Sequence, residues 1–432
     1  MAKTELTSRV ALSVIIWACL AVPGALGELC SELNCMPPHC RCPSTQAPFS
    51  LPPGDIPQLV VFSFDGPVTP KYVDFYQRLF PGDLVNPNNC SAGVTLFVSN
   101  AGEEGRIRTD YASVQKLYRL GYEIGVNSMS MKRPEMFWND ATYEEYVKEM
   151  VGQRYLLSLK ARIPPGEIRG LRVPYLQPGG NNQFRMMADK KFMYDSSLVT
   201  GPVTEDATAN QPAVFPYTLD VPPEKYLCDI APGNCPTDPF PGIWEFPLNR
   251  LFSTHGTPCA VADDCQTYPA DDTFRYLMKN FLRHYNGQRA PLGLFIRPTW
   301  FEKKNYTLAG VGAFLKNITA RRDVWVVTMA QAIEWMKAPK SNSQLLMASG
   351  DCNVNPPLLA NNATLDIIDL YDPEDTSSTS TTPTTAKQGK TTASSPAHGG
   401  RQIDSRNRAN SEMFYFKLLA FICSLLVYHL IL

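Results

Sequence analysis

From Leu51 to about Leu370 the chain alternates short apolar runs with segments of helical period. Leu59 to Phe64 reads LVVFSF and ends on Asp65. Val94 to Val98, Tyr122 to Val126, Leu171 to Tyr175, Ile243 to Phe246, Leu292 to Ile296 and Val324 to Val327 repeat the pattern, and Met329 to Met336 reads as a helix. Strands that are apolar on both faces belong to a sheet covered on both sides. Their alternation with helices predicts a parallel α/β sheet or barrel. In barrels of this kind the chemistry sits just after the strand C-termini. The polar residues so placed are Asp65, Asn127, Arg172, Glu245 and Arg297.

The two ends carry a different pattern. Val10 to Val22 is uncharged and apolar, and Ala25-Leu26-Gly27 offers small residues for cleavage, so residues 1–27 read as a secretory signal. The run is shorter than the ~20 residues a bilayer span needs, which argues against an anchor. Residues 371–410 are rich in Ser and Thr with Pro383 and Pro396, the composition of an O-glycosylated or disordered stalk. Residues 411–432 end in LLAFICSLLVYHLIL with nothing polar behind it. That is the pattern of a removed GPI-attachment signal, a C-terminal membrane helix being the alternative. Sequons at Asn89, Asn305, Asn317 and Asn362 fit the same secretory route.

Composition narrows the class. The 40 Lys+Arg against 41 Asp+Glu leave a net charge of −1, which argues against a nucleic-acid binder. Cys19 and Cys423 fall in the end segments, which leaves ten of the 12 cysteines, an even set for disulfides. Cys30, Cys35, Cys40 and Cys42 crowd into residues 28–50 around Pro37 and Pro38. Zinc is the competing reading there, but CxxC pairs are absent and His39 is the single nearby imidazole. Cys228, Cys235, Cys259 and Cys265 would staple loops of the body, and Cys90 with Cys352 would close it end to end.

Four runs carry a resemblance: Ser63-Phe64-Asp65-Gly66, Gly121 to Ser128, Arg172-Val173-Pro174-Tyr175 and Pro291 to Arg297. In this order they resemble the motifs of polysaccharide deacetylases with a NodB-type domain, most closely the invertebrate chitin-deacetylase-like branch. Gly179 to Phe184, Trp244-Glu245 and Arg283-His284-Tyr285 are further matches, as is a cysteine cluster directly before the barrel. The resemblance implies a distorted (β/α) barrel over residues 51–370, preceded by a small disulfide-rich segment.

It also implies what an active site would contain. Active members end the first strand in T-F-D-D, a general base followed by a metal-ligand Asp. H-S-x-x-H then supplies two histidine ligands, and a later histidine acts as general acid. Zinc so held lowers the pKa of bound water to around 7 and polarises the amide carbonyl. In this chain the base position is Asp65, but the ligand positions are Gly66, Asn127 and Met131, and the general-acid position is Arg297. Arg172 matches the arginine that orients the base, and Tyr175 the position whose backbone N–H serves the oxyanion. Glycine has no donor atom, a neutral amide is a weak ligand and a thioether prefers softer ions. Of the five histidines only His255 and His284 lie in the body, and neither forms a pair with ligand spacing. Arginine stays protonated and cannot serve as a general acid.

The expectation is therefore a barrel without zinc, displayed at the cell surface, whose partner is chitin-like or other extracellular glycan. Arg172 and Arg297 would both face Asp65, either as a structural anchor or as a cradle for an anionic or polar ligand. Phe137, Trp138, Trp244 and Trp300 are the aromatic candidates for stacking on sugar rings, with core packing as the alternative for each. An active deacetylase with an altered metal site and a structural or adhesive protein without glycan affinity are the rival readings.

Overall fold

A computed structural model describes Cys30 and residues 35–47, 50–201, 211–228, 233–265 and 270–347. The expected signal (1–27), stalk (371–410) and C-terminal signal (411–432) lie outside the described residues, as do Cys352 and Asn362.

The core is one predominantly parallel sheet. Its strands are β1 (Gln58–Gly66), β2 (Thr95–Ser99), β3 (Glu123–Ser128), β4 (Gly170–Leu171), β5 (Tyr194–Asp195), β6 (Tyr217–Leu219), β7 (Phe240–Glu245), β8 (Leu292–Ile296) and β9 (Val324–Val326). The order is β8-β1-β2-β3-β4-β5-β7-β6, with β9 also on β1 and only the β6–β7 pair antiparallel. Helices α1 (Pro70–Leu79), α2 (Tyr111–Arg119), α3 (Gly152–Ala161), α4 (Gly180–Asp189), α5 (Ala270–Tyr285), α6 (Tyr306–Thr319) and α7 (Met329–Lys337) connect them. Their starts are set locally. Thr69 caps α1 ahead of Pro70, and Thr328 with Gln331 forms a capping box on α7.

Alternation along the strands sorts side chains into two layers. Val60, Phe62 and Phe64 of β1 join the cluster beneath the helices. Leu59 and Val61 join Phe97, Tyr194, Trp244 and Phe246 in a second cluster. Residues from β1, β2, β5 and β7 thus meet inside the curved sheet, which is how a barrel fills its centre. Among the described residues no ladder joins β7 to β8, so hydrogen bonding leaves the barrel open there. Side chains span the gap instead: a methyl on Gly293 would come within 2.9 Å of the Phe246 ring.

Two short strands, β5 and β6, were not foreseen in the sequence, and the expected run from Leu171 to Tyr175 is strand only at Gly170–Leu171. Pro174 opens a tight turn in which Tyr175 and Leu176 take φ of 58° and 52°. Disulfides join Cys30 to Cys42, Cys35 to Cys40, Cys228 to Cys235 and Cys259 to Cys265. Cys90 is also disulfide-bonded. The N-terminal segment docks on the sheet edge: Thr218 N–H donates to Arg41 O at 2.9 Å and Phe215 N–H to Ser44 O at 2.9 Å. It thereby covers an edge strand that would otherwise offer unpaired backbone groups. No helix among the described residues is long and apolar enough to cross a membrane.

Candidate functional site

Ser63 and Asp65 continue the inward face of β1 to its C-terminal end, where a cavity of about 400 Å³ opens. The centre of the site is Arg172, directly after β4 and 0% exposed. Its Nη1 donates to Asp65 Oδ1 at 2.8 Å and Ser63 Oγ at 3.0 Å. Its Nε donates to Ser196 O at 2.7 Å and its Nη2 to Ser196 Oγ at 2.9 Å. The guanidinium lies between the rings of Phe97 and Phe295, 4.4 and 4.3 Å from their centroids. Hydrogen bonds in its plane and aromatic rings near it suit a guanidinium and no other cationic side chain.

Asp65 is 11% exposed, and burial pushes its carboxyl up to about 6, against the opposing pull of Arg172 and a weaker one from Arg297. Folding therefore disfavours the ionised form. The contribution of Asp65 to stability is full below about pH 4 and is lost as pH rises to 6, about 3 kcal/mol in all. Asp65→Asn keeps an acceptor for Arg172 and should flatten that part of the pH dependence. Unfolding titrations from pH 4 to 7 would show this, and an unchanged slope would refute it.

The three expected ligand positions lie around the same cavity. Gly66 sits at φ 113°, a backbone conformation that favours glycine. Asn127 is buried; its Nδ2 donates to Arg172 O at 3.0 Å and its Oδ1 has no partner. Met131 is buried at φ 50°, and its carbonyl accepts from Tyr175 Oη at 3.2 Å. The loop bearing Met131 is fixed by Glu149, which the sequence did not single out. Glu149 accepts from Met129 N at 3.1 Å, Ser130 N at 2.9 Å and Ser130 Oγ at 2.7 Å. Glu149→Ala should cost about 2–3 kcal/mol by orphaning these donors, and should speed amide exchange at residues 129–131.

This donor set does not fit zinc. One position has no side chain, one presents a neutral amide and one a thioether. The closest trio of ligand-type residues among those described is Cys30, Cys35 and Cys42, and all three are committed to disulfides. His284 lies at the opposite end of the barrel, bonded through Nδ1 to Ala290 O at 2.8 Å and held neutral by burial, its pKa lowered to about 3. His255 is exposed on a turn.

Arg297 requires a correction. It lines the cavity but turns away from Asp65: its Nε donates to Asp263 at 2.7 Å, its Nη2 pairs with Asp264, and its N–H donates to Asp263 Oδ1 at 3.0 Å. Of the two expected cations only Arg172 bonds Asp65, and Arg297 acts on it as a weaker, unbonded charge. Asp263 and Asp264 carry no signal in sequence, since they lie in a loop more than 30 residues upstream.

The aromatic candidates are corrected as well. Trp138, Trp244 and Trp300 are buried at 0%, 2% and 3%, and cannot offer a ring face to a ligand. Phe137 is half-buried beneath the Lys132 ammonium, 3.8 Å from the ring centroid. None of the four lines the cavity, whereas Tyr72, Tyr175 and Phe295 do. Glu245 points outward beneath α4, with Oε1 accepting from Leu198 N at 3.2 Å and burial holding its carboxyl well above the usual range. Asn89, Asn305 and Asn317 are exposed.

No family model matches the chain. Over 331 residues it is 34% identical to Chitin deacetylase 8 of Bombyx mori, which covers 76% of this chain and 82% of that protein. It is 33% identical over 323 residues to Chitin deacetylase 1 of Bombyx mori, covering 72% of this chain and 57% of that one. Among solved structures it resembles a protein of Parabacteroides distasonis described as a glycoside hydrolase/deacetylase, at 14% identity and a TM-score of 0.44, covering 68% of this chain and 74% of that one. A protein of Mycobacterium smegmatis described as a polysaccharide deacetylase matches at 18% identity and a TM-score of 0.40, covering 71% of this chain and 96% of that one.

Proposed function

The chain belongs to the chitin-deacetylase family of polysaccharide deacetylases, and from that premise we propose that it is a glycan-binding member without zinc-dependent amide hydrolysis. The carrying observation is the floor of the mouth, where Gly66, Asn127 and Met131 supply no donor set for zinc.

Hydrolysis of an acetamide needs a water made nucleophilic, a polarised carbonyl and a proton for the departing amine. Asp65, near 6, can take up a proton. Nothing else at the floor polarises a carbonyl as a doubly charged ion would. Arg297 is held further in its charged form by Asp263 and Asp264, so it does not release a proton to the departing amine. A base without its two partners leaves a cavity of about 400 Å³ that can hold a ligand and is poorly equipped to cleave an amide.

Secretion and display at the cell surface complete the proposal. The disulfides suit an oxidising compartment. Attachment through residues 411–432, as a GPI signal or a C-terminal helix, rests on the sequence pattern alone. A role in organising chitin-like extracellular matrix follows from binding combined with display.

Burial of Trp138, Trp244 and Trp300 favours a second reading, of a structural surface protein that binds no glycan. Pull-down of the purified full chain on chitin and other matrix polysaccharides separates the two. Saturable retention supports glycan binding. Passage through every column, by protein shown to be folded, leaves the structural reading.

A further inference from the structure

The floor of the mouth offers acceptors and holds back its donors. Asp65 gives Oδ1 to Arg172, and its other oxygen makes no hydrogen bond among the described residues. Asn127, 1% exposed, spends its amide nitrogen on Arg172 O and leaves Oδ1 without a partner. A buried oxygen in that condition costs free energy until a donor reaches it.

Three of the four nearby cations are engaged elsewhere. Arg172 is taken up by Ser63, Asp65 and Ser196. Arg297 is turned to Asp263 and Asp264, and Arg108 to Glu104. Lys303 stands on the exposed rim. In the lining as a whole carboxylates outnumber cations five to three. An anionic ligand would meet five carboxylates with two of the three lining cations already paired, which argues against a carboxylate or sulfate guest.

Resting on the reading that the mouth binds glycan, we propose that it selects the unacetylated unit, a 2-amino-2-deoxyhexose whose ammonium is held between Asp65 and Asn127. An ammonium brings three donors and a positive charge to two oxygens that lack partners. An acetamide brings a single N–H and a carbonyl oxygen, and that oxygen would face acceptors with no free donor among the side chains of the floor. The partner class is thus a partly or fully deacetylated aminoglycan, the kind of polymer that an active amide-hydrolysing relative must first produce.

Calorimetry of the full chain at pH 7 with glucosamine tetramer and N-acetylglucosamine tetramer tests this. The expected result is at least a tenfold preference for the amine-bearing tetramer, about the worth of one charge-assisted hydrogen bond. Asp65→Asn should erase the preference. Glu135→Lys, an exposed change on the rim, should weaken the amine-bearing tetramer and spare the acetylated one. Equal or tighter binding of the acetylated tetramer overturns the selection and leaves glycan binding standing. A preference that survives in folded Asp65→Asn also overturns it. Binding of neither tetramer sinks both readings.

Discussion

Replacing Arg172 with methionine is expected to lower folding stability by about 3–5 kcal/mol, measured by denaturant unfolding. Methionine roughly fills the space between Phe97 and Phe295, so the loss would come from what the guanidinium leaves behind. Asp65 would remain buried without its cation, and Ser63 and Ser196 would each lose a donor. Arg172→Lys should recover less than half of the loss, because an ammonium can reach neither all three partners nor both rings. Combining Arg172→Met with Asp65→Asn should cost less than the two changes added together, since the second removes the charge stranded by the first. Strict additivity would show that the pair is not coupled.

The second large effect is a gain. Gly66→Asp, Asn127→His, Met131→His and Arg297→His, made together, should create zinc binding, read as a zinc-dependent rise in melting temperature that is not expected of the natural chain. The structure attaches two costs. A side chain at Gly66 meets no atom within 4 Å, but φ of 113° suits no L residue, a penalty of about 1–3 kcal/mol. Removing Arg297 strands Asp263, whose side chain is 7% exposed. The metal-free variant should therefore be less stable than the natural chain. Zinc at a hundred times its dissociation constant should return about 2.7 kcal/mol. A variant that folds yet shows no response to zinc would mean that the mouth has diverged beyond these four positions.

How much of this was legible depends on the kind of feature. Long apolar strands announce themselves: β8 has the bounds its run of Leu and Phe suggested, and β1 is nearly as clear. Strands of two or three residues, such as β5 and β6, are too short for any period to show, and they exist because neighbouring strands supply the ladder. The turn at Tyr175 was concealed because Val, Tyr and Leu suggest extended chain, whereas Pro174 and the packing around it impose left-handed backbone. At the site, the residue types alone give the expectation, since Gly66, Asn127 and Met131 offer a poor donor set for zinc in any arrangement. Partners were another matter. Arg297 finds its acids in a distant loop, and Glu149 reaches the Met131 loop from the helical stretch that leads into α3. The tryptophans were chosen for their chemistry, yet burial decides whether a ring can stack, and burial is a property of the fold.

The most direct measurement is acetate release from acetylated chito-oligosaccharides by the purified full chain with added Zn²⁺ or Co²⁺. No release above the protein-free rate is the expected result, with the four-residue variant as the comparison. Release that a metal chelator abolishes would contradict a mouth built for binding without zinc-dependent cleavage.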